Sequence, residues 1–410
     1  MKQLKLMFRA FKYRNFRLFF PGLAVSQIGV WIQNITISWL VYDITKSPFA
    51  MGTIMCFTAA PLFIITPFAG VIVDKFNRQK LLLMVQILFA LQALLITLFT
   101  VTGNIKIWSI VVCGLFLNAI AAIDNPLRQS TFVLLVDDIR DLPNAISLNS
   151  ACFNLARFIG PAIGGILIAY TSITFCFFIN FLLILPNIYL VSQMQIADEK
   201  PEEVKNDSMF HSLKTGFNYV VKHHQISLLQ LYFAIFCLLM LSYPMLMPVY
   251  VSKVLNGNAD TLGFILGAVG VGSLLASLML ATKTSVNWMR RILFGGCATI
   301  CITYILMGSF SSITLTLILM FFAGLGMASF TSTENMLLQS VIANSKRGHV
   351  MSINSLCYAG TNSFSSFFAG SLAGALDVAN TFAILGGLML IIACVISYKL
   401  SKYDYHIKVR

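Results

Sequence analysis

The sequence predicts an all-α polytopic membrane protein whose twelve transmembrane helices form two pseudo-symmetric six-helix bundles. Three observations predict it. Charged residues make up 10% of the chain and hydrophobic residues 58%, with a mean hydropathy of +0.83, whereas a soluble domain is roughly a quarter charged. Apolar runs near the ~20 residues that cross about 30 Å of hydrocarbon recur along the chain. Stretches of the first half return, in the same order, in the second. A transmembrane β-barrel would instead alternate apolar and polar residues in segments of about ten, and that pattern is absent.

The chain opens MKQLKLMFRAFKYRNF. At helical spacing Lys2, Lys5, Arg9 and Lys12 share one face, and Leu4, Phe8 and Phe11 the other. This predicts an interfacial helix over 1–15 on the cytoplasmic surface, not a cleaved targeting segment. Six spans follow at 16–42, 49–73, 80–101, 107–131, 144–169 and 174–192, so the N-terminal bundle is 16–192. Residues 193–225 form a cytoplasmic linker. It begins QMQIADEKPEEVKND and ends in an amphipathic helix, with Phe210, Leu213, Phe217 and Val220 on the face predicted to rest on the inner membrane surface. Spans at 226–252, 261–282, 290–310, 313–341, 349–375 and 381–400 make the C-terminal bundle, 226–400, and 401–410 is a cytoplasmic tail. Pro244 and Pro248 predict a loosened, hinge-like seventh span.

Charge fixes the orientation. Of 28 Lys and Arg residues, 24 fall on the N-terminal side of the membrane; Lys46, Lys106 and Lys253 fall outside and Arg157 within a span. This positive-inside bias puts both termini in the cytoplasm. The net charge of +13 therefore expresses topology and attraction to anionic membrane lipids, and no nucleic-acid partner is expected. All nine cysteines fall inside spans and read as small apolar residues. The five histidines are scattered, and there is no Gly-Lys-Ser/Thr phosphate loop. No metal, no cofactor and no nucleotide hydrolysis are expected, and no nucleophile–base pair suggests an enzyme.

The repeat divides the chain. DNPLRQS (124–130) aligns with ENMLLQS (334–340), and ISLNSAC (146–152) with MSINSLC (351–357). Spans four and five thus recur as ten and eleven in the same orientation. Parallel six-span halves of this kind are a transporter architecture, with the substrate site near the midplane.

GVIVDKFNRQK (70–80) joins spans two and three. A basic inner loop accounts for Lys75, Arg78 and Lys80, but not for Asp74 at the helix end or Gly70 one turn earlier. Gly70 permits close helix approach, and Asn77 can adopt the left-handed turn conformation. The stretch resembles the signature of the major facilitator superfamily, Gly-x-x-x-Asp-(Arg/Lys)-x-Gly-Arg-(Arg/Lys). Gly70, Asp74, Lys75 and Arg78 match; Asn77 and Gln79 depart. The resemblance implies a cytoplasmic gate in which Asp74 faces the helix start near Gly348–Met351 and Arg78 pairs with Asp124, with Arg128 as an alternative partner. RFIGPAIGGIL (157–167) resembles the superfamily's antiporter motif, with Gly160, Pro161, Gly164 and Gly165 allowing tight packing and bending. The wider stretch 124–165 is similar to a branch containing the enterobactin exporter and the macrolide efflux proteins.

Ionisable groups inside spans usually face a cavity or a partner. Asp124 and Glu334 occupy equivalent places in the repeat, but Leu338 stands where Arg128 stands. Glu334, lacking that cation, is a candidate proton carrier; a solvated helix-end acid is the alternative. Arg157 shares a face with Ser147, Ser150 and Asn154, and Gln27, Trp31, Asn34 and Ser38 form a stripe on span one. Both stripes are expected to line a substrate cavity, with Asn362, the repeat counterpart of Arg157, on the other half. Bulky packing for Trp31 and ion pairing for Arg157 are the plainer readings.

The expectation is a secondary active transporter in a bacterial inner membrane, exporting a small amphipathic organic molecule (siderophore or macrolide-like drug) by proton antiport. It is expected to act as a monomer with a small-molecule substrate, protons and lipids as its partners. An importer or facilitator is the alternative, and a non-transporting scaffold a weaker one.

Overall fold

The structure, a computed structural model, describes residues 8–196, 209–280, 286–343 and 346–401. The regular elements among them are helices: α1 (Arg14–Thr45), α2 (Pro48–Lys75), α3 (Arg78–Val101), α4 (Ile107–Phe132), α5 (Leu142–Tyr170), α6 (Ile173–Ser192), α7 (Met209–Lys222), α8 (His224–Met240), α9 (Tyr243–Lys253), α10 (Ala259–Leu280), α11 (Val286–Met307), α12 (Ile313–Val341), α13 (Arg347–Leu376) and α14 (Val378–Ser401). In hydrocarbon every backbone N–H and C=O must be paired within the segment, and a helix does that. Eleven described segments are long and apolar enough to cross, α8 and α9 together making one, His224–Lys253. The twelfth crossing, α13, is 30 residues long but carries many Ser, Asn and Thr residues, too many to qualify by hydropathy.

By contacts the chain divides into two compact units, residues 1–44 with 57–205, and residues 45–56 with 206–410. By contacts the start of α2 groups with the second unit. Glycine explains it, since a Cβ on Gly52 would lie 3.0 Å from Gly370 Cα.

In the first unit, α3 packs along α4 and α6 around a core that includes Phe19, Leu82, Phe89 and Leu127. The start of the chain differs from expectation. Arg9–Lys12 is a single 3₁₀ turn, and α1 begins at Arg14. Three-residue spacing on a 3₁₀ turn eclipses side chains, so Arg9 and Lys12 both reach Asp141, at 2.7 and 2.6 Å. Tyr13 Oη donates to the same carboxylate at 2.8 Å, and Ala10 N donates to Asn144 Oδ1 at 3.0 Å. Residues 1–7 of the predicted interfacial helix lie outside the described residues.

Between α2 and α3, Asn77 has φ −56°, not a left-handed value. It is an N-cap instead: its side chain accepts from Lys80 N at 2.9 Å, satisfying one of the unpaired donors of α3. Gln79 holds the start of the linker. Its Nε2 donates to Met194 O at 2.6 Å, and its Oε1 accepts from Ile196 N at 3.1 Å.

In the second unit, α10 and α11 pack on α12, and α14 on α11. The seventh span is broken outright at Leu241–Ser242, between α8 and α9. Pro244 sits in the first turn of α9, where its missing N–H costs nothing. Tyr304 Oη donates to Met240 O at 2.7 Å, supplying a partner for a carbonyl that the break frees. The linker helix α7 packs against its own unit. Val220 is buried among Ile226, Leu338, Ile342 and Val350, and Gly216 lies against His349. Phe217, assigned to the same face, is 59% exposed. The inward side of α7 therefore serves packing within the unit. The side chains of Phe210 and Leu213 lie outside the described residues.

Candidate functional site

Two sets of polar groups stand out in the first unit, a partly exposed stripe and a buried network. Along α5 the stripe descends through Ser147, Ser150, Asn154 and Arg157. Ser147 Oγ donates to Pro143 O at 2.7 Å, Ser150 Oγ to Ile146 O at 3.1 Å, and Asn154 Nδ2 to Ser150 O at 3.0 Å. These donors are satisfied one turn back along the helix. Trp31 of α1 meets this stripe. Its ring lies 5.7 Å from the Arg157 guanidinium and packs edge-on to Phe153 at 5.7 Å. A cation over an indole face is an attractive contact. Asn34 is exposed and Gln27 half-buried on the same helix.

α1 and α5 come this close because of glycine. A Cβ on Gly164 would stand 2.6 Å from the Ile35 methyl and 3.3 Å from Ile32 Cα, and one on Gly160 would overlap Trp31 Cβ. Pro161 and Gly165 are buried beside them.

The buried network is a feature that sequence reasoning missed. Gln33 donates to Gln92 at 3.0 Å and accepts from Asn180. Asn187 donates to Gln86 at 2.9 Å, and Gln86 donates to Asp124 at 3.4 Å. Asp124 pairs with Arg128 at 2.5 Å. Among the described residues no ion pair joins Arg78 to Asp124; one helical turn brings Arg128 nearer. The signal was available: Asn180 and Asn187 are seven apart, as are Gly22 and Gly29, which face them.

In the second unit Glu334 is fully buried on α12. Asn354 Nδ2 of α13 donates to its two oxygens at 3.2 and 3.3 Å. Leu338, at the place of Arg128, is buried in the core. The two halves therefore treat equivalent acids differently, one with a cation and one with an amide. Asn354 belongs to the repeated SINS stretch, so its position was legible.

Gly70, Lys75 and Arg78 close α2 and open α3, and a Cβ on Gly70 would meet nothing within 4 Å. The side chains of Asp74 and Asn362 lie outside the described residues. Among the described residues no cluster of three His, Cys, Asp or Glu could hold a metal.

Helical units of this make-up define a class, the major facilitator transporters. The fold is similar to a crystal structure of a POT family transporter in complex with 5-aminolevulinic acid, with TM-score 0.76, 11% identity, and coverage of 95% of this chain and 97% of that one. The chain belongs to the transmembrane secretion effector family of that superfamily, whose profile matches residues 7–406. It is 26% identical over 385 residues to the staphyloferrin A transporter of Staphylococcus aureus (strain NCTC 8325 / PS 47), covering 90% of this chain and 92% of that protein. It is 22% identical over 383 residues to the multidrug efflux pump Tap of Mycolicibacterium fortuitum, covering 90% and 91%. The family and these relatives are transporters of small molecules, not enzymes, and the chain is a multi-pass membrane protein of that kind.

Proposed function

We propose that the protein exports a small amphipathic organic molecule from a bacterial cell by exchange with protons, its termini in the cytoplasm of an inner-membrane protein. The staphyloferrin A and multidrug relatives support a siderophore or drug-like substrate. Glu334 is the observation that carries the coupling. Among the described residues, this fully buried carboxyl, hydrogen-bonded to a neutral amide, has no ion-pair partner to lock its charge state. Proton binding there and substrate binding at the Trp31–Arg157 stripe compete through alternating access. Each inward proton supplies about 1.4 kcal/mol per pH unit and about 2.3 kcal/mol per 100 mV. Asp74 with Arg78 and Lys75 latches the cytoplasmic side.

The test is Glu334→Gln. Export driven by a pH gradient falls at least tenfold, while equilibrium binding of the exported compound stays within twofold. Undiminished export would remove Glu334 from the mechanism. Import or facilitation is the second reading, since the glycines of the antiporter-like motif serve helix packing in any case.

A further inference from the structure

Among the described residues, Gln230 of α8 is 5% exposed, yet neither its Nε2 nor its Oε1 makes a hydrogen bond. An amide buried without partners is costly, and a methionine would fill the same space without that cost. Register fixes what stands beside it. α8 and α13 pack side by side. Ile226 shares a cluster with Val350, the rings of Phe233 and Tyr358 stack at 6.4 Å, and Cys237 meets Thr361. The two helices thus run in the same direction with a constant offset, which puts Gln230 level with Asn354. Asn354 is itself buried, and its Nδ2 bridges the two Glu334 oxygens at 3.2 and 3.3 Å. On α12, Leu338 belongs to the cluster of Ile226 and Val350. Gln230, Asn354 and Glu334 therefore form the next layer, one turn away along each helix.

We infer that Gln230 and Asn354 are positioning residues of the Glu334 site, a chain of two amides that reverses its hydrogen bonds when the carboxyl takes up its proton. This rests on the reading of Glu334 as the proton carrier. An ionised carboxylate only accepts, so Asn354 turns its NH2 towards it and its carbonyl towards the Gln230 NH2. A protonated carboxyl has an O–H to donate. Asn354 then accepts with Oδ1 and turns its NH2 to Gln230 Oε1. Each amide can play either part, as no apolar or purely donating side chain can. The change passes from α12 through α13 to α8, the half of the seventh span that ends at the break at Leu241–Ser242. Other ionisable groups surround the site. Cys237 of α8 and Cys357 of α13 interact with the Glu334 charge, and Tyr232 of α8 packs on Phe330. Arg290 of α11 donates to Leu400 O and Arg347 of α13 to Gln339 O. Arg291 is exposed, and the acid of α10, Asp260, lies in its first turn.

The experiment uses the full chain in nanodiscs, isotopically labelled at the glutamine side-chain nitrogen for NMR. The Gln230 resonance is assigned by its loss in Gln230→Met, and the protonated Glu334 carboxyl by the infrared band lost in Glu334→Gln. On titration the Gln230 resonance is expected to move with the same midpoint as the Glu334 band. It should stop moving in Glu334→Gln and in Asn354→Leu, while the Glu334 band of Asn354→Leu still titrates, its midpoint displaced by about one pH unit. Gln230→Met should displace the Glu334 midpoint by about half a unit with no loss of thermal stability. A Gln230 resonance that stays flat through the Glu334 titration, or that still moves in Glu334→Gln, overturns the relay and leaves the proton reading standing. So does an unshifted Glu334 midpoint in a stably folded Gln230→Met. The absence of any titrating band that Glu334→Gln removes overturns the proton reading, and the relay with it.

Discussion

Asp141 shows how one residue organises a terminus. It is a nearly fully buried carboxylate reached by Lys12, Tyr13 and Arg9. The Lys12 hydrogen bond foremost, then Tyr13 and Arg9, hold its carboxyl below the usual range. Nearby, Arg140 brings Asp138 down to about 2. A depressed carboxylate stabilises the fold above its unfolded pKa, near 3.9, and that contribution is lost as pH falls through the folded value. Amide exchange at Ala10, whose N–H is held by Asn144, should therefore rise as pH falls below about 4, once corrected for intrinsic rates. Asp141→Asn should give the acid-like rate at neutral pH. A wild-type profile flat through that window would refute the hook. Glu334 teaches the complementary lesson: the residue opposite an acid, not the acid itself, decides what it can do.

At the scale of elements, glycine and amide chemistry set the spacing. Gly164→Val should lower stability by about 2 kcal/mol through overpacking. The atom it meets is a methyl of Ile35, so Ile35→Ala should restore part of that loss; no rescue would place the strain elsewhere. Gln79 departs from the superfamily's basic position for a reason visible in its contacts. It donates to Met194 and accepts from Ile196, and a lysine has no acceptor to offer. Gln79→Lys should speed tryptic cleavage after Lys205 several-fold in the folded protein, and an unchanged rate would mean that the linker start is held by other contacts.

For the whole molecule the open question is direction. Purified protein in oriented proteoliposomes should show substrate counterflow without a gradient and uphill export only with a pH gradient. Counterflow indifferent to the gradient would favour a facilitator. Most of the helices were legible: the spans expected at 80–101, 107–131 and 174–192 became Arg78–Val101, Ile107–Phe132 and Ile173–Ser192. Apolar length sets such boundaries locally. The Trp31–Arg157 contact, and the partners that the Asn180–Asn187 spacing would find, were not legible, because each joins helices far apart in sequence.

The sequence by itself determined the membrane class, the helical spans and the repeated halves, since hydropathy and charge asymmetry act along the chain. Only the tertiary structure decided that Asp124 keeps Arg128 and that Glu334 has Asn354. Pairing depends on distance in space, and a helix face does not record what will pack against it.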